Sequence, residues 1–195
     1  MWKRLLLAAL IGWGAYSSWN ARTASYRPGV VAPQVPVQHE ASSASSFDYK
    51  GYRITPLAQF SVEARVLARE DYRTGREADL ARTDLALGWG RMSDETVLEK
   101  IDIGQSNRFY YWSVKEFPIP QREIETSSAN MHLIPADNAI ESKLDHVRIG
   151  QVVHLRGYLV RVEASDGWRW MSSLTREDTG AGACELVWVE ELNSL

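Results

Sequence analysis

The chain has 195 residues, 45% of them hydrophobic and 24% charged, with a net charge of −3. These values suit one globular domain with appendages. They exclude the broad basic surface on which nucleic-acid binding rests, and a single cysteine, Cys184, excludes an internal disulfide.

The N-terminus reads MWKRLLLAALIGWGAYSSWNARTAS. Lys3 and Arg4 form a positive flank, Leu5 to Ile11 is a solid apolar run, and no charge follows until Arg22. Residues 5–21 reach the lower edge of a membrane span, with Trp13, Tyr16 and Trp19 where interfacial aromatics sit. The reading is a retained anchor over residues 1–21. The alternative is a signal peptide cut near Ala15-Tyr16-Ser17. By the positive-inside rule the rest of the chain is exported. That gives a single-pass protein of a bacterial inner membrane with its C-terminal domain in the periplasm, or a periplasmic protein after cleavage. Residues 22–46 hold Pro28, Pro33, Pro36 and a Ser/Ala run, the composition of a linker. His39 lies in it and receives no role.

The domain is expected over 47–195. Lys50-Gly51 marks a turn, and Phe60, Val62, Ala64 and Val66 alternate with polar residues as in a half-buried strand. Glu77 to Leu87 is ambiguous between helix and strand. Ser93-Asp94-Glu95 opens a short helix with Val97, Leu98 and Ile101 as its apolar stripe. Arg108 to Val114 is aromatic and β-branched, hence a strand. Pro118 and Pro120 mark an irregular crossing, and 127–132 reads as an irregular polar stretch. Asp137 precedes a second short helix with Ile140, Leu144 and Val147 on one face. Three strands follow, at Val152 to Val162, Trp168 to Leu174 and Cys184 to Glu190, with Asp166-Gly167 as a tight turn. The fold class is α+β, a curled antiparallel sheet or small OB-like barrel with two short helices.

The candidate chemistry gathers near SSLTREDTGAGACE, residues 172–185. Asp178-Thr179-Gly180-Ala181 spells an aspartic-protease core. It lacks the apolar strand that such a site needs before the Asp, and it lacks a second copy. Cys184 with His132 is a nucleophile–base pair in residue type, against the plainer reading of a small core cysteine. Arg176 beside Gly180 and Gly182 is a candidate anion cradle. Trp112, in the run Phe109 to Trp112, is a candidate for an exposed aromatic face. The four histidines show no metal-ligand spacing. No Walker loop or dinucleotide fingerprint is present, so no cofactor is expected.

Leu85 to Asp94 (LALGWGRMSD), Ser128 to Ala136 (SANMHLIPA), Gly157 to Val160 (GYLV) and residues 172–185 resemble stretches of a group of uncharacterised bacterial exported proteins. The resemblance implies a membrane-tethered envelope protein and transfers no catalytic residue. The leading expectation is a non-enzymatic domain binding a protein or envelope component, with no nucleic acid as partner. The alternative is an envelope hydrolase using Cys184 or Asp178 with His132.

Overall fold

In the computed structural model, residues 24–41, 44–175 and 184–195 are described. The expected anchor lies outside them. Among the described residues no helix is long and apolar enough to cross a membrane.

The domain is a β-rich α+β fold. Its strands are β1 (Val37–Glu40), β2 (Phe47–Tyr49), β3 (Tyr52–Asp71), β4 (Thr83–Gly88), β5 (Ile101–Ser106), β6 (Phe109–Val114), β7 (Ser128–Pro135), β8 (Val152–Glu163), β9 (Arg169–Met171) and β10 (Glu185–Ser194). Its α-helices are α1 (Glu95–Leu98), α2 (Gln121–Thr126) and α3 (Asn138–His146). Strands pair in the order β3-β4-β7-β10-β8, and β8 pairs back onto β3, so five strands close a ring. β7 and β10 run parallel, which corrects the expectation of a wholly antiparallel sheet. A parallel pair needs a crossover. Between β7 and β10 it is supplied by α3, β8 and β9.

Period-two alternation decides what fills the ring. Phe60, Val62, Leu85, Leu87, Met131 and Leu133 point inward and pack with Leu155, Val187 and Val189. Ile140 and Leu144 of α3 close one end of this core. Asp137 caps α3 by accepting the Ile140 N–H at 2.8 Å. The ambiguous stretch resolves into a 3₁₀ turn (Arg76–Asp79) followed by β4. Leu80 and Leu87 therefore enter different clusters, because a strand and not a helix carries the second. At Gly157, a Cβ would stand 1.8 Å from the Trp188 carbonyl oxygen, so only glycine allows β8 to approach β10 there.

The outer faces of the ring carry two further apolar clusters. One, built on Leu67, Ala86, Met92 and Ile124, is covered by α1, α2 and the β5–β6 hairpin. The other, built on Ile54, Ile134, Leu186 and Trp188, is joined by Trp168 and Trp170. Residues 118–127, read as an irregular crossing, include α2, whose Ile124 is fully buried. Within the proline-containing segment, residues 24–41 lie along the domain. β1 pairs with β3, Ala32 is fully buried, and the Val31 and Ala32 N–H groups donate to Ser93 Oγ.

Candidate active site

Between the two outer clusters, the outward face of β4 and β7 is polar and still buried. Asp84 stands opposite His132 in the antiparallel register, and Ala86 opposite Asn130. Asp84 is completely enclosed, and His132 and Asn130 are 4% exposed each. Inward residues Leu85, Met131 and Leu133 hold these strands in the core, so alternation forces their neighbours outward.

His132 Nδ1 lies 2.9 Å from Asp84 Oδ2, an ion-pair distance, and neither atom makes a well-aligned hydrogen bond. The ring of Trp170 lies against the imidazole at 4.9 Å between centroids. Asp84 Oδ1 accepts from Arg108 Nη1 at 2.6 Å. Burial by itself pushes the His132 pKa down. The Asp84 carboxylate and, next, the Cys184 sulfur more than offset that, and the imidazole is raised to about 9. His132 is therefore an imidazolium at neutral pH. Arg108 and His132 both face the carboxylate of Asp84, and Glu185, next to Cys184 in the chain, is a second buried carboxylate.

Arg108 comes from the tip of the β5–β6 hairpin. Asn107 and Arg108 both adopt positive φ, 51° and 69°, in a two-residue turn of the primed kind that suits strand twist. The tip is fixed from several sides. The Arg108 N–H donates to Tyr72 Oη at 2.8 Å, its guanidinium lies 3.8 Å from the centre of the Tyr72 ring, and Nη1 also donates to the Ala81 carbonyl. Behind the tip, Tyr110 donates to Ser128 Oγ at 3.2 Å. Burial pushes that phenol up to about 12.

Cys184 stands just before β10, one step before the Glu185–Met131 pair. It is half-buried and belongs to none of the three apolar clusters. Its Sγ lies 3.7 Å from the Arg108 carbonyl oxygen and 3.7 Å from Asn130 Nδ2. The Ser173 N–H donates to the Cys184 carbonyl at 3.1 Å. With Nδ1 of His132 committed to Asp84, Nε2 is the nitrogen left to serve the sulfur.

The structure thus brings His132 and Cys184 together. Arg176, Asp178, Gly180 and Gly182 lie outside the described residues. His132 is not in an irregular stretch but in the middle of β7, because Met131 and Leu133 bury the strand. Trp112 is half-buried with the outer cluster against Phe117. The exposed rings of that run are Phe109 and Tyr111, since alternation turns them to the other face. Sequence reasoning missed Asp84, Arg108, Asn130 and Trp170. The available signal was Asn130-Met131-His132-Leu133, a period-two pattern with polar residues on one face.

No group of three or more His, Cys, Asp or Glu side chains among the described residues is placed to hold a metal ion. Three clefts lined by described residues lie away from the cluster, the largest about 460 Å³ between Glu99, Asp102, Lys115 and Phe117. Comparison with protein-family models, with curated proteins and with solved structures finds no match for this chain.

Proposed function

We propose that the domain is a thiol-dependent acyl-transfer enzyme, an envelope hydrolase in which Cys184 is the nucleophile, His132 its proton partner and Asp84 the group that orients the imidazole. The observation that carries this reading is the 2.9 Å approach of His132 Nδ1 to the Asp84 carboxylate, with the Cys184 sulfur among the groups that raise the imidazole. A nucleophile, a base and an orienting third group form the common logic of covalent hydrolases on unrelated folds. The closed ring β3-β4-β7-β10-β8, with a helix after β7, supports an OB-like barrel. In such barrels the second and third strands and the loops flanking them form the usual binding face. Here those strands are β4 and β7, which carry Asp84 and His132.

The chemistry follows from the charges. Cys184 Sγ attacks the carbonyl carbon of an ester, thioester or amide. The bond to the leaving group breaks, and His132 Nε2–H gives that group its proton. A thioester to Cys184 remains. Water then attacks the thioester, loses a proton to Nε2 and releases the acid, and the sulfur is restored. Arg108 holds the far oxygen of Asp84, so the carboxylate keeps its orientation through both steps.

The test is a burst experiment with p-nitrophenyl acetate on the full chain. The expected result is about one equivalent of p-nitrophenolate released in the burst, acetyl mass on Cys184, and loss of both in Cys184→Ala. A folded protein whose Cys184 takes up neither acetyl nor iodoacetamide label would overturn the reading.

The second reading is a binding module. It is favoured by Phe109 and Tyr111, exposed at 40% and 50% on the outer face of the hairpin, with ring centroids 6.5 Å apart. Paired exposed rings suit a protein or envelope-component partner. Under either reading, residues 5–21 tether the domain to the inner membrane with the barrel on the periplasmic side. Membrane fractionation checks this, and a soluble mature chain beginning near Ser18 would overturn it.

A further inference from the structure

Acyl transfer also needs a donor for the negative oxygen of the tetrahedral intermediate. Such donors lie about 2.7–3.1 Å from where that oxygen forms. We propose that the side-chain amide of Asn130 is this donor, so that Asn130 is a further catalytic residue of the site. The proposal rests on the acyl-transfer reading.

Asn130 is 4% exposed and sits two residues before His132 on the same face of β7. Its amide orientation is fixed by its neighbours. Nδ2 donates to the Arg108 carbonyl at 2.8 Å, and Oδ1 accepts from Gln105 Nε2 at 2.5 Å. A flipped amide would set two carbonyl oxygens against each other. An asparagine amide has two N–H bonds. One is spent on Arg108, and the same nitrogen lies 3.7 Å from Cys184 Sγ. The oxyanion grows on the carbon bonded to that sulfur, so the N–H that bonds weakly to Sγ in the resting site is placed to reach it. Gln105 and Arg108 come from the β5–β6 hairpin, so this excursion also positions the donor.

The inference separates from a structural role by chemistry. Alkylation of a thiol by iodoacetamide forms no oxyanion, whereas acylation by p-nitrophenyl acetate does. Both are followed on the full chain for wild type, Asn130→Ala, Asn130→Asp and Gln105→Ala. Asn130→Ala should slow the acylation burst about 10²–10³-fold, the usual cost of one lost donor, while alkylation of Cys184 changes by less than about threefold. Asn130→Asp keeps the size of the side chain and should be as slow. It covers the case in which the alanine variant fails to fold. Gln105→Ala, which only frees the amide, should slow acylation by about tenfold or less. Acylation within about threefold of wild type in either Asn130 variant, or alkylation falling in parallel with acylation, would overturn the role of Asn130 and leave Cys184 as nucleophile. Absence of acylation in the wild type removes the acyl-transfer reading, and the inference with it.

Discussion

The two faces of β4 and β7 are equally buried and chemically opposite. Inward, Leu85, Leu87, Met131 and Leu133 meet apolar neighbours in the ring. Outward, Asp84, Asn130 and His132 are as enclosed as those leucines but meet charge and amide. Burial of the first set stabilises the fold through apolar area. Burial of the second costs desolvation and is offset only while every partner stays in place. The same strands thus hold a core that tolerates loss of shape and a polar cluster that does not tolerate loss of a partner.

That contrast predicts where the largest effect falls. Asp84→Ala leaves Arg108 and His132 without their common anion in a dry site. Breaking a buried ion pair from one side costs about 3–5 kcal/mol, and denaturant titration should read that loss. Replacing Asp84 by Leu together with Arg108 by Met should recover the part of it due to Arg108, since that pair then carries no charge, while His132 still lacks its anion. A double variant as unstable as Asp84→Ala would break the electrostatic account.

On the inward face, Leu133→Ala should cost about 3 kcal/mol through lost burial and a cavity. Its signature differs from that of Asp84. In the fraction still folded, Cys184 should alkylate at the wild-type rate, because the inner face reaches the cluster only through the backbone. A changed rate would show the two faces to be coupled.

The third test uses pH. The folded pKa of His132, about 9, lies above its ordinary value of 6.5. Protonation therefore stabilises the fold fully below about 6.5, and the contribution is lost as pH rises through about 9. The expected loss is on the order of 3 kcal/mol, with Asp84, Arg108 and Cys184 as the facing groups. The carboxylates held below their ordinary range, such as Asp71 and Glu95, lose their contribution only as pH falls, so they do not enter this window. His132→Gln should flatten the curve between pH 6.5 and 9. A wild-type stability that is flat there would contradict an imidazolium in the folded state.

Much of the barrel was legible in the residues. The turn at Lys50-Gly51, the capped helix after Asp137, the hairpin at Asp166-Gly167 and the last three strands are set by local chemistry and short-range pattern. The parallel β7–β10 pair was not legible, because register between strands about fifty residues apart is decided by closure of the ring. The site was half legible. Cys184 and His132 carry their chemistry in their residue type. Asp84 and Arg108 do not: an acid in a β-strand and an arginine at a hairpin tip are ordinary until the fold sets them against one imidazole. The expectation of a non-enzymatic domain rested on the absence of a catalytic set readable by spacing, and a carboxylate far away in sequence cannot be paired with a histidine by spacing.

The smallest effect on stability is expected at the atom to which the proposed acyl transfer gives the largest effect on chemistry. Cys184→Ala removes one sulfur from a half-buried position where, apart from its influence on His132, it makes two weak hydrogen bonds, both at 3.7 Å, with the Arg108 carbonyl and the Asn130 amide. Sulfur is a weak hydrogen-bond partner, so the variant should lose about 1 kcal/mol or less in denaturant titration. Its pH profile sharpens the comparison of faces. The sulfur is one of the groups that hold His132 charged. Without it, the alkaline loss of stability should begin at lower pH, while the part due to Asp84 remains. An inward cysteine of the same exposure would shift only the overall stability and leave the pH profile in place. If Cys184→Ala keeps the wild-type pH profile, the sulfur and the imidazole are neighbours without coupling, and Cys184 belongs with the packing residues of the barrel.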